Sequence, residues 1–111
     1  MNYSIIPTHR FEKEPKRLAK KFPSLKNEFA ELIKSIIDDP EKGTFLGNNC
    51  YKIRLTISSK GKGKSGGARV INYLYIETET VYLLTIYDKG EKEGLKPNEL
   101  KDMIDSLELD I

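Results

Sequence analysis

From Leu25 to Ile37 the apolar positions are Leu25, Phe29, Leu32, Ile33, Ile36 and Ile37, a spacing that makes one face of a helix. Ser24 stands at the N-cap position, and Asp38-Asp39-Pro40 ends the run. Upstream, Phe11, Leu18 and Phe22 mark a shorter helix over about residues 9–21, with Thr8 as its cap. Pro15 is compatible only with a helix start, so regular helix is expected from Glu14. Tyr3 to Pro7, ahead of it, has the residues of a short strand. After Gly43–Asn49, which reads as a loop, the period changes. Tyr51, Ile53, Leu55 and Ile57 alternate with Lys52, Arg54, Thr56 and Ser58, the pattern of a strand with one apolar face. A Gly/Lys/Ser loop follows, from Ser59 to Gly67. It leads to a strand over Ala68–Ile76, a turn at Glu77-Thr78-Glu79, and a strand from Thr80 or Val81 to Tyr87. Short connections between successive strands predict an antiparallel meander. Leu100, Met103, Ile104 and Leu107 predict a closing helix, with Pro97 in its first turn. The predicted order is β-α-α-β-β-β-α, with no internal repeat and no linker: a single α+β domain over residues 1–111.

Composition narrows the class. The chain is 38% hydrophobic and 32% charged, enough apolar matter for a core beside a well solvated surface, which excludes a disordered chain. No apolar run approaches the roughly 20 residues that span a bilayer, so no membrane partner is expected. Met1 to Pro7 lacks the basic and long apolar regions of a signal peptide. Cys50 is the only cysteine, so no internal disulfide forms, and a reducing cytoplasm is expected.

Charge changes the picture more. Residues 1–41 carry eight Lys/Arg and seven Asp/Glu; residues 77–111 carry four Lys/Arg and ten Asp/Glu. Between them Lys42, Lys52, Arg54, Lys60, Lys62, Lys64 and Arg69 stand without one acid, a local charge of +7. Such segregation predicts a polyanionic partner for the middle of the chain, and an acidic tail that repels that partner or folds over the basic region.

Alternation puts Lys52 and Arg54 on one strand face, beside the lysine loop and Arg69. Isolated strand lysines are usually only solubilising. Six cations on one hairpin repel one another unless an anion binds, and phosphate is the anion that arginine grips with two parallel hydrogen bonds. Gly61 to Gly66 formally contains G-x-G-x-x-G, and Gly63-Lys64-Ser65 resembles the end of a phosphate-binding loop. A strand follows instead of a helix, so neither nucleotide motif applies. A basic flap over nucleic acid fits better. His9, the sole histidine, reads as a surface residue, and one His with one Cys makes no metal cluster. RNA chemistry here would rest on Lys, Tyr and Arg, with crowded positive charge lowering the pKa of a Lys or Tyr toward a general-base role. Strand tyrosines usually pack. Tyr73 and Tyr75 share the Arg69 face, where one could stack on a base, and Tyr87, at the end of its strand, suits a site better than a core.

Cys50-Tyr51-Lys52-Ile53-Arg54-Leu55, the hairpin reaching Arg69-Val70-Ile71, and Val81 to Lys89 resemble the RelE/ParE toxin superfamily, above all its HigB-like branch, which shares the Lys-Gly-Lys-Gly-Lys loop and the Leu-Leu-Thr-Ile-Tyr strand. The resemblance implies a RelE-like, microbial-ribonuclease-like fold, with two N-terminal helices packed on a twisted antiparallel sheet. It implies the toxin of a type II toxin–antitoxin system: a ribosome-dependent endoribonuclease that cuts mRNA in the A site by attack of the ribose 2′-OH on the adjacent phosphate, and that a cognate antitoxin neutralises. Carried over by position, Lys52 and Arg54 match the family's basic pair on its central strand, Arg69 its phosphate-binding arginine, and Lys89 an arginine after its last strand. Together with the residue reading this gives a catalytic set of Arg54, Arg69, Tyr87 and Lys89 and an RNA-binding set of Lys52, Lys60, Lys62 and Lys64, with no metal and no cofactor. Leu95 falls where RelE has a C-terminal tyrosine active in acid–base catalysis; Tyr87 or a loop lysine is its substitute here. The rival functions are a ParE-like inhibitor of DNA gyrase and a non-catalytic RNA- or ribosome-binding module.

Overall fold

The alternating segment from Cys50 onward forms the centre of a five-stranded sheet. The computed structural model describes residues 3–58 and 67–110. In chain order they form β1 (Ser4–Pro7), α1 (Lys13–Lys21), α2 (Leu25–Asp38), β2 (Thr44–Gly47), β3 (Cys50–Leu55), β4 (Ala68–Tyr75), a 3₁₀ turn (Ile76–Thr78), β5 (Thr80–Asp88) and α3 (Glu99–Asp110). The class is α+β, as the patterning predicts. Strand order in the sheet is β1-β5-β4-β3-β2.

Two features differ from the sequence expectation. The supposed loop at residues 43–49 contains β2, which pairs with β3 in a hairpin. Asn48 and Asn49 both take left-handed backbone, φ 51° and 60°, the geometry of a two-residue hairpin turn. Gly43, at φ 105°, leads into β2 where a Cβ would stand 2.4 Å from the Lys52 carbonyl oxygen, so only glycine lets the chain pass there. The sheet is also mixed. β2 to β5 run antiparallel, but β1 lies parallel to β5 in the register Ser4↔Thr80 to Pro7↔Leu83. A long crossover through both N-terminal helices makes that parallel pairing possible.

Helix boundaries shift slightly. Residues 9–12 form turns and not helix, and Thr8 is fixed by its hydroxyl donating to the Leu83 carbonyl at 3.0 Å. Pro15 falls in the first turn of α1, where it is tolerated. Ser24 occupies the N-cap position of α2, but its hydroxyl donates to the Glu28 carboxylate at 2.9 Å and accepts no capping bond from a helix N–H. Pro97 precedes α3, whose first residue is Glu99.

The sheet divides the interior into two cores. On one face Ile53, Leu55, Val70, Leu74, Val81, Leu83 and Ile86 pack against Phe11, Leu18, Leu25, Leu32 and Ile36 of the N-terminal half. Leu18 and Ile36 are fully buried, each worth about 1.5–3 kcal/mol by transfer from water. On the other face Cys50, Ile71, Leu84 and Tyr87 pack against Met103 and Leu107 of α3. A bulge in β5 connects the two: Ile71 pairs with Thr85 but Asn72 with Leu83, leaving Leu84 as the extra residue.

Asn72 is 1% exposed, and among the described residues neither end of its side-chain amide has a hydrogen-bond partner. A buried, unmade amide is a net cost. Asn72→Leu, of similar shape, is expected to raise stability by about 1–3 kcal/mol. A denaturant midpoint that stays put or falls would show that the amide is satisfied.

Candidate active site

Strand register assembles the site. Arg54 of β3 pairs with Arg69 of β4, and Arg69 pairs with Tyr87 of β5, so the three side chains form one row across neighbouring strands. Lys52 shares the Arg54 face two residues along β3. The row lies on the α3 side of the sheet, since Tyr87 packs with Met103 and Leu107. The acidic C-terminal segment thus folds onto the sheet face that carries the basic row.

Arg69 is 8% exposed, and its one hydrogen bond among the described residues goes to the Ala68 carbonyl, at 3.2 Å. Among those residues no carboxylate lies within ion-pair distance of Lys52, Arg54 or Arg69. Two guanidinium groups directly opposite one another on a sheet repel. Packing without a counter-charge gives Arg69 a fixed position and leaves most of its five donors for an external anion.

Tyr87 is 7% exposed. Burial pushes its phenol above the ordinary tyrosine value, against the opposing pull of the Arg69 charge, and Glu99 adds to the rise. This reverses the expectation that crowded positive charge would lower a tyrosine here. Desolvation of the phenolate outweighs one neighbouring guanidinium, so the buried phenol is held in its protonated form.

Both flanks of the lysine loop are anchored near this end of the sheet. The Ser58 amide donates to Glu28 of α2 at 2.8 Å, and the Lys89 amide donates to the Gly67 carbonyl at 3.0 Å. Lys60, Lys62 and Lys64 lie outside the described residues. Lys89 follows the end of β5, is half-buried, and donates its ammonium to the Glu93 carbonyl. His9 is exposed and takes no part in the row.

Sequence reasoning missed the supports of the turn after β5. Buried Asp88 accepts the Gly90 amide at 3.0 Å and lies 3.7 Å from the Lys21 ammonium. Glu91 is held by Arg17 at 2.7 Å and Lys21 at 2.9 Å, both from α1. Those two hydrogen bonds hold the Glu91 carboxyl at about 2, well below the ordinary value of 4.5. A depressed carboxyl stabilises the fold above its unfolded pKa and loses that contribution as pH falls through the folded one. Glu91→Gln is therefore expected to lower stability at neutral pH, and its deficit should close as pH falls from 4.5 to about 2. The group is exposed, so the effect is small, and denaturant unfolding at several pH values would measure it. Lys92 was missed too: its ammonium lies 5.6 Å from the Tyr87 ring centroid and bonds Glu99. Leu95 packs into the α3 core, so no tyrosine works from that position.

No family model matches the sequence. Solved structures do. A free arginine-substituted mutant of the E. coli toxin RelE aligns over 84% of this chain and 90% of its own, with a TM-score of 0.62 and 20% identity. The fold is RelE-like. The same RelE mutant in complex with an antitoxin RelBc peptide aligns over 86% of this chain and 97% of its own, with a TM-score of 0.58 and 18% identity. The intact E. coli RelBE toxin–antitoxin complex gives 76% and 93% coverage, a TM-score of 0.58 and 21% identity. Among the described residues no helix is long and apolar enough to cross a membrane.

Proposed function

We propose that this chain is the toxin of a toxin–antitoxin pair, and that it cleaves mRNA on the ribosome. The RelE-like fold supports the class, and solved relatives of that fold are RelE with its antitoxin RelB. The observation that carries the chemistry is the Arg54–Arg69–Tyr87 row, two cations with no carboxylate in reach among the described residues, beside a buried phenol.

In this mechanism the ribose 2′-oxygen attacks the adjacent phosphorus and the P–O5′ bond breaks. A 2′,3′-cyclic phosphate and a free 5′-hydroxyl result. Arg54 and Arg69 neutralise the charge that gathers on the pentavalent phosphorus, where fixed donors act most strongly. Tyr87 gives its proton to the departing 5′-oxygen. Lys52 and Lys89, with Lys60, Lys62 and Lys64, hold neighbouring phosphates of the strand. The row itself holds no side chain that is a free base at neutral pH. Removal of the 2′-proton then falls to water, to a loop lysine or to a group brought by the ribosome, and only the last makes the reaction depend on translation. The site of action is the cytoplasm, and the restraining partner is a cognate antitoxin.

Primer extension on an mRNA, translated and untranslated, tests this. Cuts in register with codons, only under translation and with cyclic phosphate ends, are expected. Intact mRNA in the presence of folded protein would overturn the nuclease and turn attention to gyrase supercoiling.

A further inference from the structure

Beside the row, three donors converge on one carboxylate. The Lys92 ammonium and the Arg10 guanidinium both donate to Glu99 Oε2, at 2.5 and 3.1 Å, and the Lys96 backbone N–H donates to Oε1 at 2.8 Å. Arg10 comes from the turns before α1, while Lys92 and Lys96 come from the segment between β5 and α3. The Glu99 side chain is 12% exposed and that of Arg10 is 52% exposed. Lys92 also touches the Tyr87 ring, so the cluster borders the candidate active site. Two cations around one acid leave the cradle net positive. Cationic side chains and a backbone N–H aimed at two oxygens of one anion are the donor set that also holds phosphate.

We propose that Arg10, Lys92 and the Lys96 N–H form a second anion subsite, for a backbone phosphate next to the one held by Arg54 and Arg69, and that Glu99 fills it until RNA arrives. This rests on RNA binding along the α3 face of the sheet. The exchange replaces one anion by another, so the cations are never left unpaired. Because Met103 and Leu107 anchor α3 further along, the Glu99 side chain can swing out while the helix stays in place. The cationic track then runs from Lys52 and Arg54 through Arg69 to Arg10.

The test is the affinity of a short single-stranded RNA with 2′-O-methyl sugars, which cannot be cleaved, read by fluorescence anisotropy over a salt series. Glu99→Gln is expected to tighten binding about fivefold and Glu93→Gln, an exposed acid outside the cradle, less than about twofold. The Glu99→Gln gain should vanish in the Arg10→Ala background, as coupled residues require and a general charge effect does not. Arg10→Ala alone should reduce the salt slope by about 0.7, one phosphate contact. Equal effects of Glu99→Gln and Glu93→Gln, or a gain that persists without Arg10, overturn the subsite and leave Glu99 as a structural ion-pair partner. If Glu99→Gln does not fold, the exposed Arg10→Ala variant decides, and an unchanged salt slope overturns the proposal. Absence of RNA binding by the unaltered protein overturns the subsite, whereas the ribosome-dependent nuclease stands or falls on the primer-extension result.

Discussion

Arg69→Ala is expected to reduce RNA cleavage by about 10²–10³-fold, or roughly 2.7–4 kcal/mol of transition-state stabilisation, while the protein stays folded. Arg69 is buried between Arg54 and Tyr87, and among the described residues no carboxylate is in reach, so its charge is expected to oppose folding and to serve an anion. Alanine removes a like-charge repulsion with Arg54 along with the packed stem, and the two effects oppose each other. Stability should therefore change little or rise as activity collapses, the signature of a residue kept for function. Arg69→Lys keeps the charge but loses the planar fork, and should retain only part of the activity. Primer extension on translated mRNA and a thermal melt of the same preparations measure both quantities. Full cleavage by Arg69→Ala removes the row from the mechanism. Loss of cleavage together with a collapsed melt makes Arg69 a packing residue.

Where periodicity decides structure, the sequence was legible. Leu25 to Ile37 announced α2, the alternation from Tyr51 to Ser58 announced β3, which ends earlier, at Leu55, and β4 and β5 fell within a residue or so of their expected ends. Four-residue β2 was hidden because its pattern is too short to count; the Asn48-Asn49 pair was its only signal. Nothing local distinguishes β1 from an antiparallel edge, since its partner is set by a crossover of more than seventy residues. The site shows the same division. Arg54 and Arg69 meet because both lie on faces that simple alternation predicts. Tyr87 joins them only through the bulge at Leu84: Tyr82 and Tyr87 are an odd number of residues apart, and an unbroken strand would send them to opposite faces. Arg10, Lys92 and Glu99 lie in three separate stretches and carry no motif, so only the fold brings them together. The direction of the Tyr87 shift was equally out of reach, because it turns on the balance of burial against one cation, and burial is a tertiary property.

Tyr87→Phe separates donor from base. The substitution removes one hydroxyl and keeps the ring against Met103, Leu107 and the Lys92 ammonium, so folding should be preserved. Cleavage should fall by about 10²–10⁴-fold, the usual worth of a positioned proton-transfer group. The pH dependence carries the sharper sign. Burial holds the phenol above its ordinary value of 10, so the protonated form dominates throughout the range ribosomes tolerate. A donor in that state gives a rate independent of its own titration across that range. A tyrosinate base would instead make the rate climb about tenfold per pH unit, following the rising fraction of the ionised form. A flat profile with a large Phe effect assigns Tyr87 to protonation of the leaving 5′-oxygen. A climbing profile that Tyr87→Phe abolishes would transfer it to the 2′-hydroxyl, with Arg69 then acting to stabilise the phenolate. A substrate with a 5′-thio leaving group needs no donor, and its cleavage by the Tyr87→Phe variant should approach that of the unaltered protein if protonation is the role, and remain slow if deprotonation is.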